Sequence, residues 1–242
     1  MKFAFLHGGA QGSWVWESVI AKLADAGAQC LALDVPGCGV KRDRDTSGIA
    51  FPEIVAELVD DMEIAGFSGA ILVGHSQGGT VLPKMAEARS GLASQLVYLS
   101  CSLPLPGQTI IEMIGTSLHG QNPDEVGWPL DPAESRDADR WEAMFCSDMD
   151  EATIAHFRAN SSGHQWPSNS YEWRDWEYPE AAAPSTYILC ERDQALPPDW
   201  QETFAERLHC ARTIRMDCDH QAMLTRPEEL AEVLLTIAAD VP

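Results

Sequence analysis

Apolar residues fall along this chain in short runs bounded by turn residues, with helix-period stripes between them. The runs at 3–6, 30–33, 70–73, 96–100, 186–190 and 212–216 predict six strands. Between the second and third, Ile54, Val55, Leu58, Val59 and Met62 repeat at the spacing of a helix with one face on a sheet, and Pro52 marks its first turn. Near the end, Leu230, Val233, Leu234 and Ile237 form a second such stripe. Its start reads as Thr225-Arg226-Pro227-Glu228, with Thr225 as the cap and a glutamate three residues on. Strands alternating with helices predict an α/β fold whose mostly parallel sheet is covered on both faces.

The stretch 103–184 interrupts that alternation. It is rich in Pro, Trp, Asp and Ser, and carries Trp128, Trp141, Trp166, Trp173 and Trp176, five of the eight tryptophans. Helical pieces are expected near 134–145 and 150–160, and no strand. This reads as an insertion over the carboxyl edge of the sheet, where open α/β sheets bind ligands. The core is then 1–102 together with 185–242. Most of the five tryptophans are expected to hold the insertion together and one or two to line a pocket; Trp128 is the candidate, with Gly8 as a second substrate contact.

The chemistry centres on Gly74-His75-Ser76-Gln77-Gly78-Gly79, which follows an apolar run and precedes a helix-like stretch. Strand, sharp turn and helix with a glycine-flanked serine at the apex is the G-x-S-x-G elbow. The turn leaves no room for side chains beside the serine, whose oxygen is left exposed. Acyl transfer also needs donors for an oxyanion. The backbone N–H of Gln77 is one candidate. The glycine-rich turn His7-Gly8-Gly9-Ala10 after the first strand supplies the other.

A serine hydroxyl is a poor nucleophile at neutral pH without a base in hydrogen-bond reach. Of seven histidines, His7 and His75 belong to glycine-rich turns and are expected to brace backbone. His119, His156 and His164 fall in the insertion, and His209 ends a helix-like stretch at the surface. His220, just beyond the last strand, is left at the same sheet edge as Ser76. A carboxylate must hold its tautomer. Asp193, after the fifth strand, is the leading candidate. Glu191, which could instead pair with Arg192, and the neighbouring Asp217 and Asp219 are its rivals.

Composition narrows the partners. With 37 acidic against 16 basic residues, the net charge of −21 repels phosphate backbones and anionic membranes, so nucleic-acid and membrane-surface functions are not expected. The seven cysteines show no C-x-x-C pair or zinc spacing, and Cys101 and Cys190 sit in strand-like runs as small apolar residues. No metal or other cofactor is expected. The glycine turn comes too early in the chain for a signal peptide, and no run approaches a membrane span. The expected setting is reducing, soluble and cytoplasmic.

His7-Gly8-Gly9-Ala10-Gln11-Gly12-Ser13-Trp14, the Gly74–Gly79 elbow, Asp193-Gln194-Ala195-Leu196-Pro197 and Asp219-His220-Gln221-Ala222-Met223-Leu224 occur in that order. Together they resemble the α/β-hydrolase fold, and within it the small branch of plant methyl esterases, hydroxynitrile lyases and related bacterial esterases. The resemblance implies a Ser76–His220–Asp193 triad, an oxyanion donor at Gly9, and a six-stranded sheet. It implies a serine esterase acting on a small-molecule ester, and the tryptophan-rich insertion without a basic cluster suits a neutral, apolar or aromatic one. It allows a homodimer, since dimers occur in this branch. The lyases of the branch carry a threonine in the oxyanion loop and a lysine after the histidine, where this chain has Gly8 and Gln221. Thioesterase, lactonase, carbon–carbon hydrolase and non-catalytic ligand receptor are the other roles the fold supports.

Overall fold

Each of the six apolar runs forms a strand in the computed structural model, which describes residues 1–177 and 183–240. They are β1 Lys2–Leu6, β2 Gln29–Leu33, β3 Ala70–His75, β4 Ala93–Leu99, β5 Ser185–Cys190 and β6 Arg212–Met216. All pair in parallel in the order β2-β1-β3-β4-β5-β6. The chain therefore leaves β1 in one direction for β2 and in the other for β3, and a crevice opens at the carboxyl ends where the order reverses.

The strands carry near-continuous apolar sequence because both faces are covered. Phe3, Phe5, Ile71, Val73, Val97 and Leu99 point into one core with helices α1 (Glu17–Asp25) and α10 (Pro227–Ala239). Ala4, Leu6, Leu72, Leu96 and Tyr98 point to the opposite core, with α2 (Phe51–Ile64), α3 (Leu82–Ala88) and α8 (Pro198–Arg207). The period of two along the strands thus feeds two separate cores. The predicted stripe of α2 is buried in full.

Two boundaries depart from the sequence reading. Strand β4 begins three residues earlier than its apolar run, because Gln95 is buried and its amide donates to Thr186 on β5 at 3.0 Å. It also ends at Leu99, because Ser100 turns to a positive φ of 41°. Thr225 does not cap α10. It ends the short α9 (Ala222–Thr225), and its hydroxyl donates to Asp148 in the insertion at 3.2 Å. Glu228 pairs instead with Lys22 of α1 at 2.9 Å.

Within 103–177 the insertion is built from four helices: α4 Ile110–Ile114, α5 Asp137–Phe145, α6 Glu151–Ser161 and α7 Ser168–Tyr171. Positions 178–182 of the stretch lie outside the described residues. Among the described residues its only β pairing is the isolated bridge Leu118–Trp128. Tryptophan N–H groups fasten it to backbone: Trp128 to Gly115 at 2.8 Å, Trp166 to Gly8 at 3.1 Å and Trp176 to Gln108 at 2.6 Å. An indole that joins apolar packing to one directed N–H bond is an effective fastener, and these three are bonded in that way.

Candidate active site

Three loops at the carboxyl edge of the sheet converge. Ser76 directly follows β3 at a φ of 51°, a backbone strain typical of a serine held at the apex of an elbow. The glycines around it are required by close approach. A Cβ on Gly78 would lie 2.6 Å from the His7 carbonyl oxygen, and one on Gly74 would lie 2.9 Å from Leu82. The elbow can therefore sit against both the first loop and α3.

Ser76 Oγ lies 3.1 Å from His220 Nε2, and His220 Nδ1 lies 2.7 Å from Asp193 Oδ2. The remaining oxygen of Asp193 accepts the backbone N–H groups of Ala195 at 2.7 Å and Leu196 at 2.8 Å. His220 and Asp193 are both almost fully buried. Residues separated by 117 and 27 positions in the chain are thus joined through one imidazole, with the ring held between hydroxyl and carboxylate.

The rivals of Asp193 are elsewhere. Glu191 is directed to Arg215 at 3.6 Å and not to Arg192, which pairs with Asp217 at 3.2 Å. Asp219 is buried, but its carboxylate accepts the His220 backbone N–H at 2.7 Å and the Gln194 N–H at 3.2 Å, together with the backbone and hydroxyl of Ser147 from the insertion. Burial raises its pKa to about 6, with these backbone donors acting against that and nearby Asp193 adding to it. It tethers the insertion to the histidine loop without touching the ring.

His7 and His75 are fully buried braces. Burial lowers both pKa values, to about 4 for His7, so each is a neutral ring at physiological pH. His7 Nδ1 is 2.8 Å from the Gly8 carbonyl, and His75 Nε2 is 3.0 Å from the His220 carbonyl. The Gly8 N–H donates to Gln11 Oε1 at 3.1 Å. Among the described residues no partner takes the next N–H, that of Gly9. The Gln77 N–H opens the first turn after the elbow, where helical N–H groups have no intrahelical acceptor.

Gly9, Ser76, Gln77 and His220 open onto a cavity of about 230 Å³ under the insertion. Ile110, Met113 and Ile114 of α4, Trp141 and Phe145 of α5, and Phe157 of α6 give it an apolar wall, and among the described residues no Asp, Glu, Lys or Arg lines it. Trp141 stacks on Phe157 with ring centres 5.0 Å apart. The two candidate substrate contacts from sequence fall away from this wall. Trp128 is turned to the Gly115 carbonyl with Arg140 over its ring, and Gly8 packs against His75 and Ser76 behind the cavity. Trp141 takes the place expected of Trp128, since it is α5 and not the preceding loop that overlies the site.

Three polar residues brace the site, and two of them, Ser100 and Gln201, carry no signal in the sequence. Ser100 is fully buried and donates its hydroxyl to Asp193 Oδ2, with His220 Nδ1 3.2 Å away. Gln201 on α8 spans the Asp193 loop, bonding the N–H and carbonyl of Cys190, both at 2.9 Å, and the Leu196 carbonyl at 2.7 Å. Gln221, next to His220, is buried and accepts from Gln11 at 3.0 Å. The position that holds a lysine in the lyases is therefore occupied here by a neutral side chain facing the oxyanion loop. Among the described residues no group of three or more His, Cys, Asp or Glu side chains gathers as a metal site, and no helix is long and apolar enough to cross a membrane.

Polyneuridine aldehyde esterase from Rauvolfia serpentina is 25% identical to this chain over 257 residues, covering 98% of it and 95% of the relative. Methylesterase 1 of Arabidopsis thaliana is 24% identical over 259 residues, with 98% and 95% covered. The crystal structure of a methylesterase from Arabidopsis superposes with a TM-score of 0.76 at 21% identity, covering 99% of each chain. With residues 3–233 matching its pattern as well, the chain belongs to the alpha/beta hydrolase family.

Proposed function

We infer that this protein, a carboxylic ester hydrolase in keeping with its esterase relatives, cleaves a neutral ester through an acyl-enzyme on Ser76. The observation that carries the reading is the continuous path Ser76 Oγ–His220–Asp193, at 3.1 and 2.7 Å, opening onto an uncharged cavity. His220 Nε2 takes the serine proton as Oγ attacks the ester carbonyl. Asp193 holds the Nδ1–H tautomer and stabilises the imidazolium. The N–H groups of Gly9 and Gln77 receive the oxyanion; one such donor is worth about 3–4 kcal/mol in the transition state. The alcohol departs with the proton from His220. Water then repeats the sequence on the acyl-enzyme and releases the acid.

The cavity supports an uncharged, largely apolar substrate, because a carboxylate or ammonium inside it would lose its hydration without gaining a partner. Cyanohydrin cleavage is disfavoured on separate grounds. Gln221 offers no positive charge to a departing cyanide, and it is already bonded to Gln11.

A panel of p-nitrophenyl and aryl methyl esters tests the reading. Turnover of neutral esters, with anionic ones of equal size at least 10-fold poorer in kcat/KM, is the expected result. Cyanide release from mandelonitrile without ester turnover would overturn it.

A further inference from the structure

Gln77 presents two distinct polar groups at the nucleophile. Its backbone N–H is an oxyanion donor, but its carboxamide is a separate group, 8% exposed and in the cavity wall. Nε2 has no hydrogen-bond partner among the described residues. A buried amide donor without a partner is uncommon, because it forfeits its hydration with nothing in return. Here it stands beside the nucleophile.

Its position relative to the reacting carbonyl is fixed by Gly9. A Cβ on Gly9 would lie 2.9 Å from Gln77 Oε1 and 3.9 Å from the Tyr171 hydroxyl. The carboxamide and the phenol therefore cluster over the backbone of the first oxyanion donor. Burial raises the Tyr171 pKa to about 12, with the adjoining Gln77 amide acting against that, so the phenol keeps its proton and can donate. Both groups are neutral. A substrate atom that meets them must leave the carbonyl carbon by one or two bonds, since the oxyanion itself is held immediately below. Beyond this spot the wall turns apolar at Ile110, Met113 and Trp141.

We propose that the Gln77 carboxamide and the Tyr171 hydroxyl form a subsite for a neutral oxygen on the carbon next to the scissile carbonyl, which makes α-hydroxy and α-alkoxy carboxylic esters with an apolar remainder the favoured substrate class. This rests on the esterase reading above. The α-oxygen supplies the acceptor that Nε2 lacks, and the ester then docks at two points, oxyanion and α-oxygen. A site built to bond an oxygen discriminates against the analogue without one, because its own donors are then left buried and unpaired. Gly9 is part of the same design. Any side chain there would displace the carboxamide.

The test compares methyl mandelate and methyl α-methoxyphenylacetate with methyl phenylacetate. The kcat/KM ratio of oxygenated to plain ester is taken within each enzyme, wild type, Gln77→Met and Tyr171→Phe. Taking ratios cancels any general effect of a substitution on the oxyanion backbone, and comparing enzymes cancels the intrinsic reactivity of the esters. The ratio should fall about 10-fold or more in Gln77→Met and by a smaller factor in Tyr171→Phe. An unchanged ratio in both variants would overturn the subsite. Calorimetric binding of mandelamide and phenylacetamide gives a readout free of turnover, and also serves if Gln77→Met fails to fold. Wild type should bind mandelamide about 10-fold more tightly, and Tyr171→Phe should narrow the gap. Equal affinities, or no binding of either, would contradict the proposal. Tighter mandelamide binding with neither ester hydrolysed would instead count against the esterase reading alone.

Discussion

The loops at the carboxyl edge of the sheet and the insertion above them are held in place by different means. Ser76, Asp193 and His220 each follow a parallel strand within a few residues, so the ladder registers of β3, β5 and β6 set their backbone positions. Neutral buried side chains then fix the details: Ser100 and Gln201 at Asp193, and His75 at the His220 carbonyl. Among its described residues the insertion has no ladder, only the isolated bridge Leu118–Trp128. Indole N–H bonds, stacked rings and a few carboxylate tethers locate it, among them Ser147 on Asp219 and Thr225 on Asp148. The difference separates chemistry from selectivity. On the proposed mechanism, the reacting atoms are tied to the rigid element and the substrate-shaping wall to side chains packed above it.

Substitutions at the edge should therefore act on rate. Asp193→Asn should lower kcat by roughly 10³–10⁴-fold with little change in KM, because the amide presents the wrong partner to Nδ1. A loss under 10-fold in steady-state assays would transfer the role to Asp219 or Glu191. Ser100→Ala removes one donor to the same carboxylate and should cost about 3–30-fold in kcat. Ser100 acts through Asp193, so the pH–rate profile should move with it. A KM effect with an unmoved profile would make it a packing residue. Ser100→Gly, which also accepts the positive φ, should behave like the alanine variant.

Substitutions in the insertion should act on selectivity. Trp141→Ala enlarges the cavity beside Phe157 and should raise KM for aromatic esters about 10-fold, while acetate esters change little. Equal losses for both would show that α5 also positions the triad. The smallest effect is expected at the tether. Asp219 has a folded pKa near 6 against about 3.8 in the unfolded chain, so the folded state binds the proton more tightly. Its contribution to stability is full below about pH 4 and is lost as pH rises through 6. Asp219→Asn should remove that slope, a difference of about 2 kcal/mol between pH 4 and 7 in urea melts. Parallel pH curves for the two proteins would contradict it.

The same division explains what could be read from the sequence. Strands that are apolar on both faces, each ending in a turn, locate Ser76, Asp193 and His220 at one edge before any coordinates are known. The place of Asp193 after the fifth strand and the family resemblance both favour it over Glu191, Asp217 and Asp219, but neighbouring loop residues point in different directions, so the folded loop is needed to show which carboxylate meets Nδ1. Ser100 was hidden for a related reason. It reads as the last residue of an apolar strand, and only its positive φ turns the hydroxyl toward Asp193. In the insertion, composition announces an aromatic wall without identifying it, since no periodicity tells which tryptophan faces inward. Trp128 and Trp141 differ only in that the second sits on a helix over the cavity.

Intact-mass analysis after incubation with a small fluorophosphonate tests the central claim most directly, on wild type, Ser76→Ala and Asp193→Asn side by side. Wild type should give one rapid stoichiometric adduct mapping to Ser76, Ser76→Ala none, and Asp193→Asn a labelling rate slowed by at least 10²-fold. An adduct on the folded Ser76→Ala protein, or none on wild type, would contradict a nucleophile activated by His220 and Asp193.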